Sequence, residues 1–191
     1  MSAPKSLTAA AALALSAGAA TADMPQSFGI LEFGPDNTLF VADSAGGAIH
    51  AYTLTSGGEA PKQDVAFNLL DVDKLVADAM GASGRVIYSD LVVHPVTREA
   101  IVSATATVDG VETGAIVAVS RDGSVRILDL DDYPSSKFML QDAADAGVTF
   151  WRDIPAPSLT VTDLDYANGE LFVSGVSTGE FASTLRRVPF P

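Results

Sequence analysis

Cysteine is absent from this sequence, so it cannot build a disulfide scaffold, a c-type haem attachment, an iron–sulfur cluster, a lipoprotein anchor or a thiol nucleophile. Positive charge is scarce. Eleven Lys and Arg stand against 24 Asp and Glu, giving a formal net charge of −13 and a pI near 4.2. A nucleic-acid binder needs a basic face toward phosphate, so no nucleic-acid partner is expected. There are two histidines, and without a third nitrogen or sulfur ligand they do not make a catalytic zinc site. The chain has no P-loop and no G-x-G-x-x-G; Gly46-Gly47 and Gly57-Gly58 read as turns.

Apolar residues make up 48% of the chain and charged ones 18%, a balance that excludes intrinsic disorder despite the charge. The length of 191 residues suits one domain. Residues 1–22 read as a signal peptide. Lys5 is their only charge, an Ala- and Leu-rich run follows, and Ala20 and Ala22 set small residues at the −3 and −1 positions before Asp23. That run is shorter than the ~20 residues needed to cross hydrocarbon, and no later stretch qualifies as a membrane span. The mature chain, 23–191, keeps 10 basic and 24 acidic residues, or −14. A secreted or periplasmic product is expected.

The rest shows one pattern three times. Ile30 to Pro35, a turn at Asp36-Asn37 and Thr38 to Asp43 form the first copy. Asp90 to Pro95 with Glu99 to Ala104 form the second, and Asp163 to Tyr166, Asn168-Gly169 and Glu170 to Gly175 the third. Each is an alternating strand, a short polar turn and a more continuously apolar strand, which is the signature of a β-hairpin. A further strand follows each hairpin, at 48–54, 114–119 and 183–188, and the second copy adds a fourth at 124–130. Repeated units of three to four antiparallel strands predict an all-β fold of β-propeller blades, at about 27–56, 86–130 and 158–191. Between them, Val72, Leu75, Val76 and Ala79 at helical spacing before Gly81 predict a helical insertion over 71–81. Residues 131–157, with Tyr133, Phe138, Met139, Phe150 and Trp151, read as a long ordered loop packing aromatics over the blades.

These hairpins are similar to those of NHL-like and gluconolactonase-like secreted propellers. The run from Asp90-Leu91-Val92-Val93-His94-Pro95 to the terminal Leu185-Arg186-Arg187-Val188-Pro189-Phe190-Pro191 resembles a group of secreted bacterial propeller proteins. The resemblance implies six or seven blades in a full-length relative, and it implies no activity. Two to three blades form only an incomplete ring, since propellers close with four or more. The chain is therefore expected to be a fragment of a longer reading frame or to pair with another chain, and the fragment is the favoured reading. Open sheet edges would then invite self-association. Trp151 is the only tryptophan, which does not support a quinoprotein propeller with its Trp-containing repeat.

Candidate site residues follow from the repeats. Asp90 and Asp163 occupy equivalent places at the start of a blade's first strand, where the first copy has Ile30. Two carboxylates from adjacent blades could share a hard cation such as Ca²⁺; alternatively, each could bond backbone amides. Asp129-Leu130-Asp131-Asp132 lacks the Gly and distal Glu of an EF-hand and reads as a solvated turn. Asp163 and Asp165 would share a strand face. His50 is read as a satisfied structural histidine and His94, before Pro95, as exposed. Ser44, Ser103 and Ser174 each follow a second strand, but none stands in a G-x-S-x-G, so none is read as a nucleophile. The expected function is an exported binding or scaffold module for a protein, a glycan or a small ligand at the blade face, with no catalytic residue or cofactor named. The alternative is a metal-dependent, Ca²⁺-type hydrolase resembling lactonases, in which Asp90 and Asp163 hold part of the cation.

Overall fold

A computed structural model describes residues 24–55, 68–178 and 183–190. The signal peptide read over 1–22 and the pair Gly57-Gly58 lie outside the described residues. In chain order the strands are β1 (Leu31–Phe33), β2 (Thr38–Asp43), β3 (Ala48–Thr53), β4 (Ile87–Val93), β5 (Ala100–Val108), β6 (Val111–Val119), β7 (Val125–Ile127), β8 (Ser135–Met139), β9 (Asp163–Ala167), β10 (Glu170–Val176) and β11 (Ser183–Pro189). One α-helix, α1 (Val72–Met80), lies between β3 and β4. They build three antiparallel sheets, ordered β1-β2-β3-β8, β4-β5-β6-β7 and β11-β10-β9. The fold is all-β. None of the sheets closes on itself. No helix among the described residues is long and apolar enough to cross a membrane.

Each expected hairpin forms. Leu31 pairs with Val41, Leu91 with Val102 and Leu171 with Tyr166. Asn168 and Gly169 both take positive φ, 53° and 83°, which supplies the tight turn matching right-handed strand twist. A second turn of this kind, Asp109-Gly110, was missed by sequence reading. It lets β5 and β6 run four residues past Ala104 and back from Val111, where the sequence suggested shorter strands. The helix forms within the expected 71–81 and ends at Gly81, whose φ is 64°.

The three sheets are stacked, and the first lies in the middle. Leu39, Val41 and Tyr52 pack against Ile101, Ile116, Ala118 and Leu128 of the second sheet. Phe40, Ala42, Ile49 and Ala51 point the other way, into Leu164, Leu171, Val173 and Val188 of the third. Alternation along a strand sends successive side chains to opposite faces, and here both faces are buried. This is why Leu39-Phe40-Val41-Ala42 is apolar at every position. Helix α1 covers the far face of the second sheet through Val76 and Met80, against Val102, Val117 and Val119.

That stacking order corrects the expectation for 131–157. The chain leaves β7 on one side of the first sheet and must reach β9 on the other. It crosses along the free edge of β3, where Ser135–Met139 pairs as a fourth strand, His50 opposite Lys137 and Tyr52 opposite Ser135. The segment is thus partly a strand. Phe138 and Met139 are exposed there and do not pack over the sheets.

Candidate functional site

The stacking also moves Asp90 and Asp163 apart. They do not come from neighbouring sheets, because β1 lies between β4 and β9. Asp90 sits at a register shift in β4 and accepts hydrogen bonds from the amides of Leu31, at 2.9 Å, and Leu91, at 2.7 Å. The first of these ties the second sheet to β1. Asp163 accepts from the Leu164 amide at 3.0 Å. Both carboxylates therefore bond backbone amides. Between them stands Glu32 on β1. Its pKa is raised, first by burial and then by the charges of Asp165, Asp90 and Asp163. The three strands β1, β4 and β9 thus share an acidic edge. Among the described residues no three His, Asp or Glu side chains group closely enough to hold a metal ion.

Crowding of like charge has a measurable consequence. Below the unfolded pKa near 4.5 both states keep the Glu32 proton. As pH rises beyond that, the unfolded chain releases it first, so stability falls and the loss persists at neutral pH. Glu32→Gln is expected to raise the neutral-pH Tm by about 1–3 °C and leave it unchanged near pH 4, measured by thermal unfolding at both values. A neutral-pH gain absent or equal at both pH values would refute this.

The serines after the second strands are fasteners. Ser103 is fully buried and donates to the Gly29 carbonyl at 2.7 Å, joining β5 to the segment before β1. Ser44 donates to the Val161 carbonyl at 3.2 Å and joins the β2–β3 turn to the third sheet. Ser174 and Thr162 share a hydroxyl contact at 3.1 Å. Sequence reading passed over one G-x-S-x-G string, Gly175 to Gly179. A nucleophile elbow requires strand, turn and helix. Here Ser177 directly follows β10, bridges antiparallel to Ala143, and the next described element is the strand β11. The Asp129 side chain accepts from the Asp131 amide at a short 3₁₀ turn, Leu130–Asp132, as a turn reading expects.

The histidines differ from expectation. His94 is buried, 4% exposed, because its ring closes the turn: Nδ1 accepts from the amides of Val96 and Thr97 at 3.2 Å each, and its edge meets Phe33. Burial lowers its pKa. His50 is fully buried between the first and second sheets, with Nδ1 3.4 Å from the Tyr52 hydroxyl. Its Nε2 makes no hydrogen bond and stands 3.6 Å from Asp43 Oδ2. Burial, with the charges of Asp131 and Asp43, pushes the Tyr52 phenol up to about 12. Asp43, which sequence reading did not single out, anchors this group and the segment around Gln26 and Ser27 that leads into β1. Its only sequence signal is a carboxylate at a strand end before Ser-Ala-Gly-Gly, a turn-capping arrangement.

Beyond Asp43 a cleft of about 480 Å³ opens between the second sheet and the connections into β1 and β9. One wall is Ser89, Thr105 and Gly114 of the second sheet. Another is Phe28 and Gly29 before β1 with Ala45 in the β2–β3 turn, and the third is Pro155, Pro157 and Val161 on the way into β9. Family models, curated proteins and solved structures all give no match to this chain. Its function must be read from this geometry.

Proposed function

We propose that the chain is an exported binding or scaffold module whose stacked sheets are propeller-type blades, with its ligand held in the cleft at their junction. The observation that carries this reading is that strands of the second sheet, the segment leading into β1 and the connection into β9 together wall one cleft. Concave sites at the junction of structural units are where small ligands usually bind, and this volume lies within their usual range of about 300–1,000 Å³. The contact of β1 with both β4 and β9, the first strand of each of the other two sheets, supports the blade reading.

A second reading rests on the acidic edge of Glu32, Asp90, Asp163 and Asp165, which a Ca²⁺ ion drawing those oxygens together would neutralise. It corresponds to the lactonase-like hydrolase. Ligand-observed NMR with a mixed library of fragments, peptides and oligosaccharides separates the two. Binders are expected for the wild type and lost in Ala45→Trp, which fills the cleft from an exposed position while Tm stays within about 2 °C. Binding alike in both proteins, or no binder at all, overturns the cleft reading. A Tm rise in millimolar CaCl₂ that Asp163→Asn removes would favour the hydrolase instead. The exported protein should begin at Asp23 by intact mass; a product retaining Met1 would refute export.

A further inference from the structure

The connection into β9 carries an element that the fold does not explain. Residues 148–156 form a small hairpin. Thr149 bridges antiparallel to Pro155, the Phe150 amide donates to the Ile154 carbonyl at 2.6 Å, and the Ala156 amide to that of Val148 at 2.8 Å. Its tip turns through Arg152 and Asp153, both in the left-handed region at φ 60° and 59°. Side chains with a Cβ adopt that conformation at a cost, and glycine is the usual choice in such a turn. Strained, non-glycine tips that persist are a feature of functional sites.

What the tip presents is Trp151, the chain's only tryptophan, 68% exposed. The Arg152 guanidinium lies 4.1 Å from its ring centroid, a cation–π contact on one face that restrains the side chain. Holding a large apolar ring in water this way costs stability, and such rings are the dominant anchors of binding surfaces. The hairpin's foot is the cleft wall. Pro155 closes the hairpin and, with Pro157 and Ser158, lines the cleft, so Trp151 stands within about 14 Å of its rim.

The cleft's chemistry narrows the ligand. Gln26, Ser89 and Thr105 offer side-chain amide and hydroxyl groups that make no hydrogen bond to described residues, and Phe28, Ile30 and Val161 supply apolar surface between them. Glu112 is the only charged side chain among the described residues of the lining, and the protein's net charge is −13. An anionic ligand would meet repulsion with no Arg or Lys to receive it. A ligand that is neutral, rich in hydroxyls and has flat C–H faces satisfies the amide, the hydroxyls, the carboxylate and the ring together.

We infer that the cleft and the Trp151 hairpin form one binding site for a neutral oligosaccharide, one end of which is held by hydrogen bonds in the cleft while a further sugar ring lies against Trp151. This rests on the cleft reading above and names its ligand class. The lone tryptophan is also the reporter. Neutral hexasaccharides of β-1,4-glucose, β-1,4-mannose, β-1,4-N-acetylglucosamine and α-1,4-glucose would be titrated while Trp151 emission is followed, with calorimetry in parallel.

At least one is expected to give a saturable emission shift. Trp151→Ala should weaken its binding at least about tenfold by calorimetry, and Trp151→Phe should recover part of the loss. Ala45→Trp should abolish binding while leaving the fold intact. If a hexasaccharide binds and Ala45→Trp blocks it, but Trp151→Ala binds equally well, the hairpin has no part and this inference fails while the cleft reading stands. If only peptides or charged fragments compete for the cleft, the ligand class is wrong. If Ala45→Trp changes the binding of nothing, both readings fall.

Discussion

Asp43→Ala should destabilise the protein by about 3–5 kcal/mol, lowering Tm by roughly 10 °C, because this carboxylate is 1% exposed and satisfies donors from two parts of the chain. Oδ1 accepts from the Ser27 amide at 2.9 Å, the Ser27 hydroxyl at 3.0 Å and the Gly46 amide at 2.9 Å, and Oδ2 from the Gln26 amide at 3.0 Å. His50 Nε2 faces Oδ2 at 3.6 Å. Removing the acceptor strands these groups and unpins the segment that leads into β1. Burial alone would raise the Asp43 carboxyl, but His50 and the Gln26, Gly46 and Ser27 donors outweigh it and hold it at about 2.

The same depression sets a pH dependence. Stability from Asp43 is fully present above the ordinary carboxyl value of 3.8 and is lost as pH falls through about 2. The shift corresponds to about 2 kcal/mol, which wild type should lose on acidification and Asp43→Asn should not. Chemical denaturation at neutral pH and near pH 2.5 measures both. Asp78→Ala serves as the control. Its carboxylate pairs with Lys74 in an exposed helical ion pair, so it should cost less than about 1 kcal/mol. Equal losses for Asp43→Ala and Asp78→Ala would show that the carboxylate does not hold the N-terminal segment.

The second large effect is steric. Gly175→Ala should cost about 3 kcal/mol or more, at the upper end of overpacking changes. A Cβ there would run into the carbonyl oxygen of Thr160, lie 2.6 Å from its carbon and 3.0 Å from the Leu159 oxygen. That backbone has nowhere to go. The Thr160 amide bonds the Pro157 carbonyl at 3.1 Å, its carbonyl accepts from Arg186 Nη1 at 3.0 Å, and the Thr162 amide bonds the Ser174 carbonyl at 2.9 Å. Arg186 is itself held by Asp142 at 2.7 Å and the Val176 carbonyl at 3.0 Å. The clash would push the 3₁₀ turn Ala156–Leu159 off β10 and shift the wall formed by Pro157 and Ser158. Ligand binding should therefore fall together with Tm.

Gly81→Ala makes a useful contrast. An added Cβ there meets nothing within 4 Å, and the cost is only that of φ +64°, about 1 kcal/mol. Thermal unfolding of the two variants side by side tests the argument. A Gly175→Ala protein no less stable than Gly81→Ala would mean that the strand and the turn can separate.

Strands and turns were legible in the sequence because their signals are local. Alternation in Asp163 to Tyr166, the Asn168-Gly169 turn and the helical spacing ending at Gly81 each fix backbone geometry within a few residues. Strand β8 was not. Ser135-Ser136-Lys137-Phe138-Met139 lacks alternation and becomes a strand only because β3 presents an open edge. The candidate site was legible only in part. Asp90 stands out from its place in the repeat, but the Leu31 amide that it accepts from is 59 residues away. The burial of His94 follows from amides that wrap its ring, which no pattern of residue types announces.

By itself the sequence determined an acidic, cysteine-free, all-β chain of hairpins with a helix within 71–81, since composition and short-range periodicity decide these. Tertiary structure alone decided that the first sheet lies between the other two, because each face of β2 needs a partner and only stacking supplies both. From that order follow the separation of Asp90 from Asp163, the crossing of β8 and the cleft between the second sheet and the connections into β1 and β9.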